Sequence, residues 1–217
     1  MIRSVLFDLD GLLVDSEPAW FRARTELVEA AGGTWTEDDQ RAMGGVHTEV
    51  WVEAVGKAAR GTLQPNEVME GILSRMERYY RTGEVPPLAG AREALTHCRA
   101  HYRVGLASGS PRRLIDAALT GLGWGEYFED VLSSDETGRG KPAPDVYLEL
   151  MERMGLEAGT TAVVEDSGAG LRAGRDAGCY VVAVPNRLTH PGPEKLAVAD
   201  VVIESLEQLA GTLAHCP

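Results

Sequence analysis

Short apolar runs recur along the chain, each followed by turn residues and then a helical pattern. They lie at Ile2 to Phe7, Val104 to Ala107, Thr161 to Val164 and Tyr180 to Val184, with Val201 to Ile203 near the end. All are rich in Val, Ile and Leu without strict alternation, as in strands buried on both faces. Helix-period segments such as Pro111 to Leu122 and Ala143 to Met154 lie between them. Strands alternating with helices predict an α/β fold, a parallel sheet flanked by helices on both sides.

One stretch breaks the rhythm. From Ser16 to Gly83 no strand pattern is found, only helix-like segments. Pro18 to Ala31 places Trp20, Ala23, Leu27 and Ala31 near one face, and Gly32-Gly33 stops it. His47 to Arg60 and Pro65 to Arg81 read as further helices. An all-helical insertion directly after the first strand is expected to be a mobile cap, with hinges near Val14 to Glu17 and Gly83 to Pro87. Trp35 and Trp51 read as core of that insertion.

Composition narrows the class of partner. The chain has 217 residues and a formal net charge of -12, which disfavours non-specific binding to nucleic acid or anionic lipid. Positive charge needed for a phosphate must therefore be concentrated locally. Cys98, Cys179 and Cys216 show neither disulfide nor zinc spacing, which suits a reducing compartment. No run is long enough to span a bilayer, and the start shows no signal-peptide pattern. A soluble cytoplasmic protein, with no nucleic acid and no membrane among its partners, is the expectation.

The chemistry-bearing residues fall at the ends of the apolar runs. The first ends in Asp8-Leu9-Asp10-Gly11. Ligands of open parallel sheets bind outside the carboxyl ends of the strands, and residues two apart on an extended chain point the same way. Asp8 and Asp10 are then either a converging carboxylate pair that favours a divalent cation, or two solvated turn residues. Leu106-Ala107-Ser108-Gly109-Ser110 ends another run, with Pro111 at the expected first helical position. Its hydroxyl and backbone N–H groups suit a phosphate, although an ordinary helix cap has the same residues. Glu165-Asp166 offers two hard oxygen donors after a further run. Lys141, held in Gly140-Lys141-Pro142-Ala143-Pro144, is either a surface charge or a fixed cation for a phosphoryl group.

Taken in order, DLDGLLVDSE, LASGS, GKPAPDVY and VVEDSGAG resemble the haloacid dehalogenase superfamily of phosphohydrolases. Within it, the chain is similar to the branch of sugar-phosphate phosphatases and beta-phosphoglucomutase. The resemblance covers essentially the whole chain. It implies a Rossmann-like catalytic core, residues 1–15 and 84–217, with an all-helical cap at 16–83. It implies Asp8 as nucleophile, forming an aspartyl-phosphate, and Asp10 as acid and then base. Leu9, Ser108, Gly109 and Lys141 would bind the phosphate of a small-molecule ester, with Ser108 and Lys141 also serving catalysis. Mg²⁺ is the implied cofactor, ligated by Asp8, the main-chain carbonyl of Asp10 and Asp166, with Glu165 binding directly or through water. Trp20, Gly44 and Gly45 on the cap side, and Arg112 on the core side, are further substrate-contact candidates.

Competing readings are weaker. The glycines of Gly168-Ala169-Gly170 match a loose dinucleotide pattern, but Pro185-Asn186 replaces the acid a ribose needs, so close helix packing explains them better. Asp135 to Lys141 lacks the first glycine and the final Ser or Thr of a Walker loop. His97 and His101 have no third zinc ligand nearby. A phosphohexomutase is the first functional alternative, but Trp20 stands where mutases carry a cap-facing His. An aspartate-phosphorylated signalling module is the second, and such a module needs no Asp10.

Overall fold

The computed structural model describes residues 1–42, 48–186 and 190–216. Six strands, β1 (Ser4–Phe7), β2 (Arg103–Ser108), β3 (Asp130–Ser133), β4 (Thr161–Glu165), β5 (Tyr180–Ala183) and β6 (Val201–Val202), form one sheet in the order β3-β2-β1-β4-β5-β6. Every pairing is parallel. All positions of β1 and β4 are buried, which is why both read as continuous apolar runs. The strand β3 was not among the runs expected from sequence. Val131 and Leu132 give it only two consecutive large apolar residues, and it is an edge strand.

After β1 come α1 (Glu17–Ala30), α2 (Glu37–Ala42), α3 (Thr48–Ala58) and α4 (Pro65–Arg81). Then α5 (Ala91–His101) leads into β2, while α6 (Arg112–Leu122), α7 (Asp145–Met154) and α8 (Gly168–Asp176) alternate with the later strands. Two short helices, α9 (Pro193–Leu196) and α10 (Leu209–Leu213), flank β6. Side-chain alternation along β1 divides the core. Val5 and Phe7 join an apolar cluster with α5, α6 and the segment 17–81, whereas Leu6 packs with Val146, Leu150 and Ala173 of α7 and α8.

Trp35 and Trp51 are buried in the first cluster, as their reading as core requires. The chain enters and leaves the helical segment on two adjacent stretches: Asp15 N donates to Pro86 O at 2.9 Å and Leu88 N to Leu13 O at 2.9 Å. The helix expected from Pro111 begins one residue later, because Pro111 is the N-cap with an extended ψ of 142°. That geometry carries the chain from the end of β2 into α6. Likewise α7 begins at Asp145, with Pro144 as its N-cap.

Candidate active site

The sheet order places the charged residues together. The chain passes from β1 outward to β3, then returns to the other side of β1 as β4. A crevice at such a reversal is where parallel sheets bind ligands. Phe7 is in register with Val164, so Asp8 leaves β1 beside Glu165 at the end of β4.

Lys141 reaches in from the loop before α7. Its ammonium lies 2.6 Å from Asp8 Oδ1 and 2.6 Å from Glu165 Oε1, and it donates to Ala107 O at 2.9 Å. The three charged side chains are at most 9% exposed, so water screens this bridge little. Glu165 is held from all sides. Tyr147 donates to Oε1 at 2.9 Å, and the backbone N–H groups of Asp166 and Ser167 and the Ser167 hydroxyl donate to Oε2. Gly170 makes this possible, since a Cβ there would lie 1.7 Å from Glu165 Oε1. Gly174 likewise lets α8 approach Val163. Of the glycines in Gly168-Ala169-Gly170, Gly170 thus serves the close approach of α8 to the end of β4.

Asp8, Glu165 and Asp166 offer oxygens within 4.8 Å of one another, and all three residues are buried. Burial drives the Asp8 carboxyl up, opposed by Lys141 and reinforced by Glu165 and Asp10. Asp166 is raised for the same first reason, with Glu165 and Asp8 adding repulsion. Burial alone would lower the Lys141 ammonium, but Asp8 and Glu165 outweigh it and hold the charge well above its ordinary range. Three carboxylates facing one ammonium leave uncompensated negative charge on hard oxygen donors. This donor set fits a divalent cation. Because protein donors occupy both Glu165 oxygens, Asp8 and Asp166 are the better-placed ligands.

Asp10 belongs to the same site but has different partners. Tyr80 of α4 donates to its Oδ1 at 2.5 Å. Ser110 donates to Oδ2 at 2.7 Å, and Ser108 more weakly at 3.4 Å. The chain turns sharply after Asp10: Gly11 has a φ of 82°, and a Cβ there would meet Asp166 Oδ2 at 2.5 Å. Conformation and space therefore both demand glycine. Asn186 donates to Gly11 O at 2.9 Å and helps fix that turn.

The other candidates divide. Ser108 accepts from Ser110 N at 3.0 Å, and the space above Gly109 is open. Leu9 has a fully buried side chain, so only its main chain is available to a ligand. Half-buried Trp20 lies in the helical segment, 5.3 Å from the guanidinium of Arg24. Arg112 is not brought to the cluster: its guanidinium is taken up by Asp116, Glu136 and the carbonyl of Val131. Gly44 and Gly45 lie outside the described residues. His97 and His101 stack at 4.4 Å on α5, and no third metal-binding side chain joins them among the described residues. Sequence reasoning did not mark Tyr80, Ser110 or Tyr147. Ser110 had a signal in its place next to Ser108, whereas Tyr80 and Tyr147, aromatics on the buried faces of α4 and α7, carry none.

A lysine-bridged acidic cluster at the carboxyl edge of a parallel sheet, with a hydroxyl-bound acid beside it, lies where α/β enzymes of this topology bind their ligands. The chain belongs to the haloacid dehalogenase-like hydrolases, whose family model matches residues 2–178. It is 29% identical over 211 residues to hexitol phosphatase B of Escherichia coli, an alignment covering 96% of this chain and 94% of that protein. To a phosphorylated carbohydrates phosphatase of Thermotoga maritima it is 29% identical over 216 residues, covering 98% of each. Its fold superposes on the crystal structure of a putative beta-phosphoglucomutase from Thermotoga maritima with a TM-score of 0.85, at 26% identity and full coverage of both chains. Among the described residues, no helix is long and apolar enough to cross a membrane.

Proposed function

We propose that the protein hydrolyses a small phosphate ester, a sugar phosphate, through an aspartyl-phosphate on Asp8. The observation that carries this reading is the unequal treatment of two neighbouring acids. Asp8 is bridged to Lys141, while Asp10 is held by neutral hydroxyls. Lys141 supplies the positive charge that favours the Asp8 anion against its burial, and Asp10, held by hydroxyls, is placed to give and take a proton.

In the first half-reaction a carboxylate oxygen of Asp8 forms a bond to phosphorus while the ester P–O bond breaks, and Asp10 gives its proton to the departing alkoxide. In the second, Asp10 removes a proton from water, whose oxygen attacks phosphorus and releases Asp8 and inorganic phosphate. Lys141, Ser108 and the N–H of Gly109 would hold the phosphoryl oxygens. Asp8, Asp166 and the main-chain carbonyl of Asp10 would hold Mg²⁺, with Glu165 contributing directly or through water. When bound, it supplies charge neutralisation for the two approaching anions. Residues 16–83 would act as a cap on the two paired connections, closing over the substrate and contributing its specificity.

The phosphatase names of the two relatives support hydrolysis, whereas the mutase name of the structural neighbour supports return of the phosphoryl group to a sugar. A panel of phosphate esters assayed with Mg²⁺ decides between them. Release of phosphate from hexose phosphates, lost by about a thousandfold or more in Asp8→Asn, is the expected result. Conversion of beta-glucose 1-phosphate without net phosphate release would instead establish the mutase.

A further inference from the structure

The helical segment sends one buried hydroxyl into the catalytic cluster. Tyr80 is the penultimate residue of α4 and is 1% exposed. Its ring belongs to the apolar cluster, while its hydroxyl donates to Asp10 Oδ1 at 2.5 Å. The backbone behind it is also fixed: Gly121 of α6 lies so close that a Cβ would come within 2.1 Å of Tyr80 O. The place of the Tyr80 hydroxyl is therefore set by how α4 sits on α6. Ser110, two residues before α6, holds the other oxygen of Asp10 at 2.7 Å.

We propose that Tyr80 is the positioning residue for Asp10, tying the orientation of the acid–base carboxylate to the seating of α4. A carboxyl that must meet first a leaving oxygen and then a water needs a fixed direction. A phenol anchored by a buried ring suits this, because its hydroxyl fixes one carboxyl oxygen in place. Ser110 completes the clamp from the core side. When α4 shifts from α6, Tyr80 moves with it, and Asp10 loses the restraint on Oδ1. Proton transfer is then efficient only with the helical segment in place.

The inference rests on Asp10 being the acid and base, and the test separates the two claims. Tyr80→Phe keeps the buried ring and removes only the hydroxyl. Its kcat on an alkyl ester, glucose 6-phosphate or the fastest sugar phosphate of the panel, is expected to fall about tenfold with KM within about twofold. Formation of the aspartyl-phosphate from p-nitrophenyl phosphate, whose leaving group needs no protonation, is expected to keep its wild-type rate. An unchanged melting temperature is the accompanying control. Equal losses on both esters, or no loss on the alkyl ester, would overturn the role of Tyr80. Asp10→Asn is run beside it. If Asp10→Asn also lacks leaving-group selectivity, the acid–base reading itself fails; if only Tyr80→Phe lacks it, the positioning role fails alone.

Discussion

The carboxyl edge of the sheet and the helical segment 17–81 meet at Asp10, where Ser110 and Tyr80 hold one carboxylate, yet they are built on different principles. At the edge, charge is buried and answered by charge: Asp8, Glu165 and Lys141 form one bridge, enclosed by donors from α7 and the start of α8. In the helical segment, most charged side chains stay near water and pair with each other. Examples are Arg22 with Glu26 and Lys57 with Glu53. The contrast teaches where each region can tolerate change. A buried ion pair that loses one member leaves an uncompensated charge, whereas an exposed pair exchanges protein contacts for water.

The sharpest break of that contrast is Lys141→Met, which keeps the length of the side chain and removes its charge. Turnover is expected to disappear, and urea unfolding should show a loss of about 3 kcal/mol or more, because Asp8 and Glu165 remain buried together. A smaller, opposite effect is expected from the cation. Mg²⁺ should raise the melting temperature of the wild type by relieving repulsion among Asp8, Glu165 and Asp166, and chelation should remove both that gain and turnover. Asp166→Asn should blunt the thermal response, which separates binding at this cluster from a general salt effect. Smallest of all is Arg113→Ala. Arg113 spans from α6 to Glu70 of α4 with two contacts of 3.0 and 2.8 Å, but both side chains are well exposed. Melting and turnover should stay within experimental scatter. A clear loss there would mean that the surface pair, rather than the packing of Gly121 against Tyr80, seats the helical segment.

Legibility in the sequence follows the same division. Asp8, Lys141 and Glu165-Asp166 sit at ends of apolar runs or in a proline-bound loop, so local pattern and chain order announced them. The parallel sheet was readable because buried strands have continuous apolar sequence. By contrast β3 escaped notice, since an edge strand with only Val131 and Leu132 lacks the apolar length of a central one. Tyr80 was hidden for another reason. It lies 70 residues from Asp10, and an aromatic on the buried face of a helix looks the same whether its far end meets solvent, backbone or a catalytic carboxylate. The expected convergence of Asp8 and Asp10 was also incomplete as a description. Spacing brings both to one edge, but their partners, Lys141 for one and Tyr80 with Ser110 for the other, are decided by tertiary packing.

The central claim is that phosphorus is transferred to Asp8, and it is tested most directly by trapping that bond. Asp10→Asn should accumulate the intermediate from p-nitrophenyl phosphate, because formation needs no acid while breakdown lacks its base. After rapid acid quench and proteolysis, mass spectrometry should find one phosphoryl group on the peptide carrying Asp8, and none when Asp8→Asn is added. A phosphoryl group on another residue, or continued turnover by the protein lacking Asp8, would contradict the account.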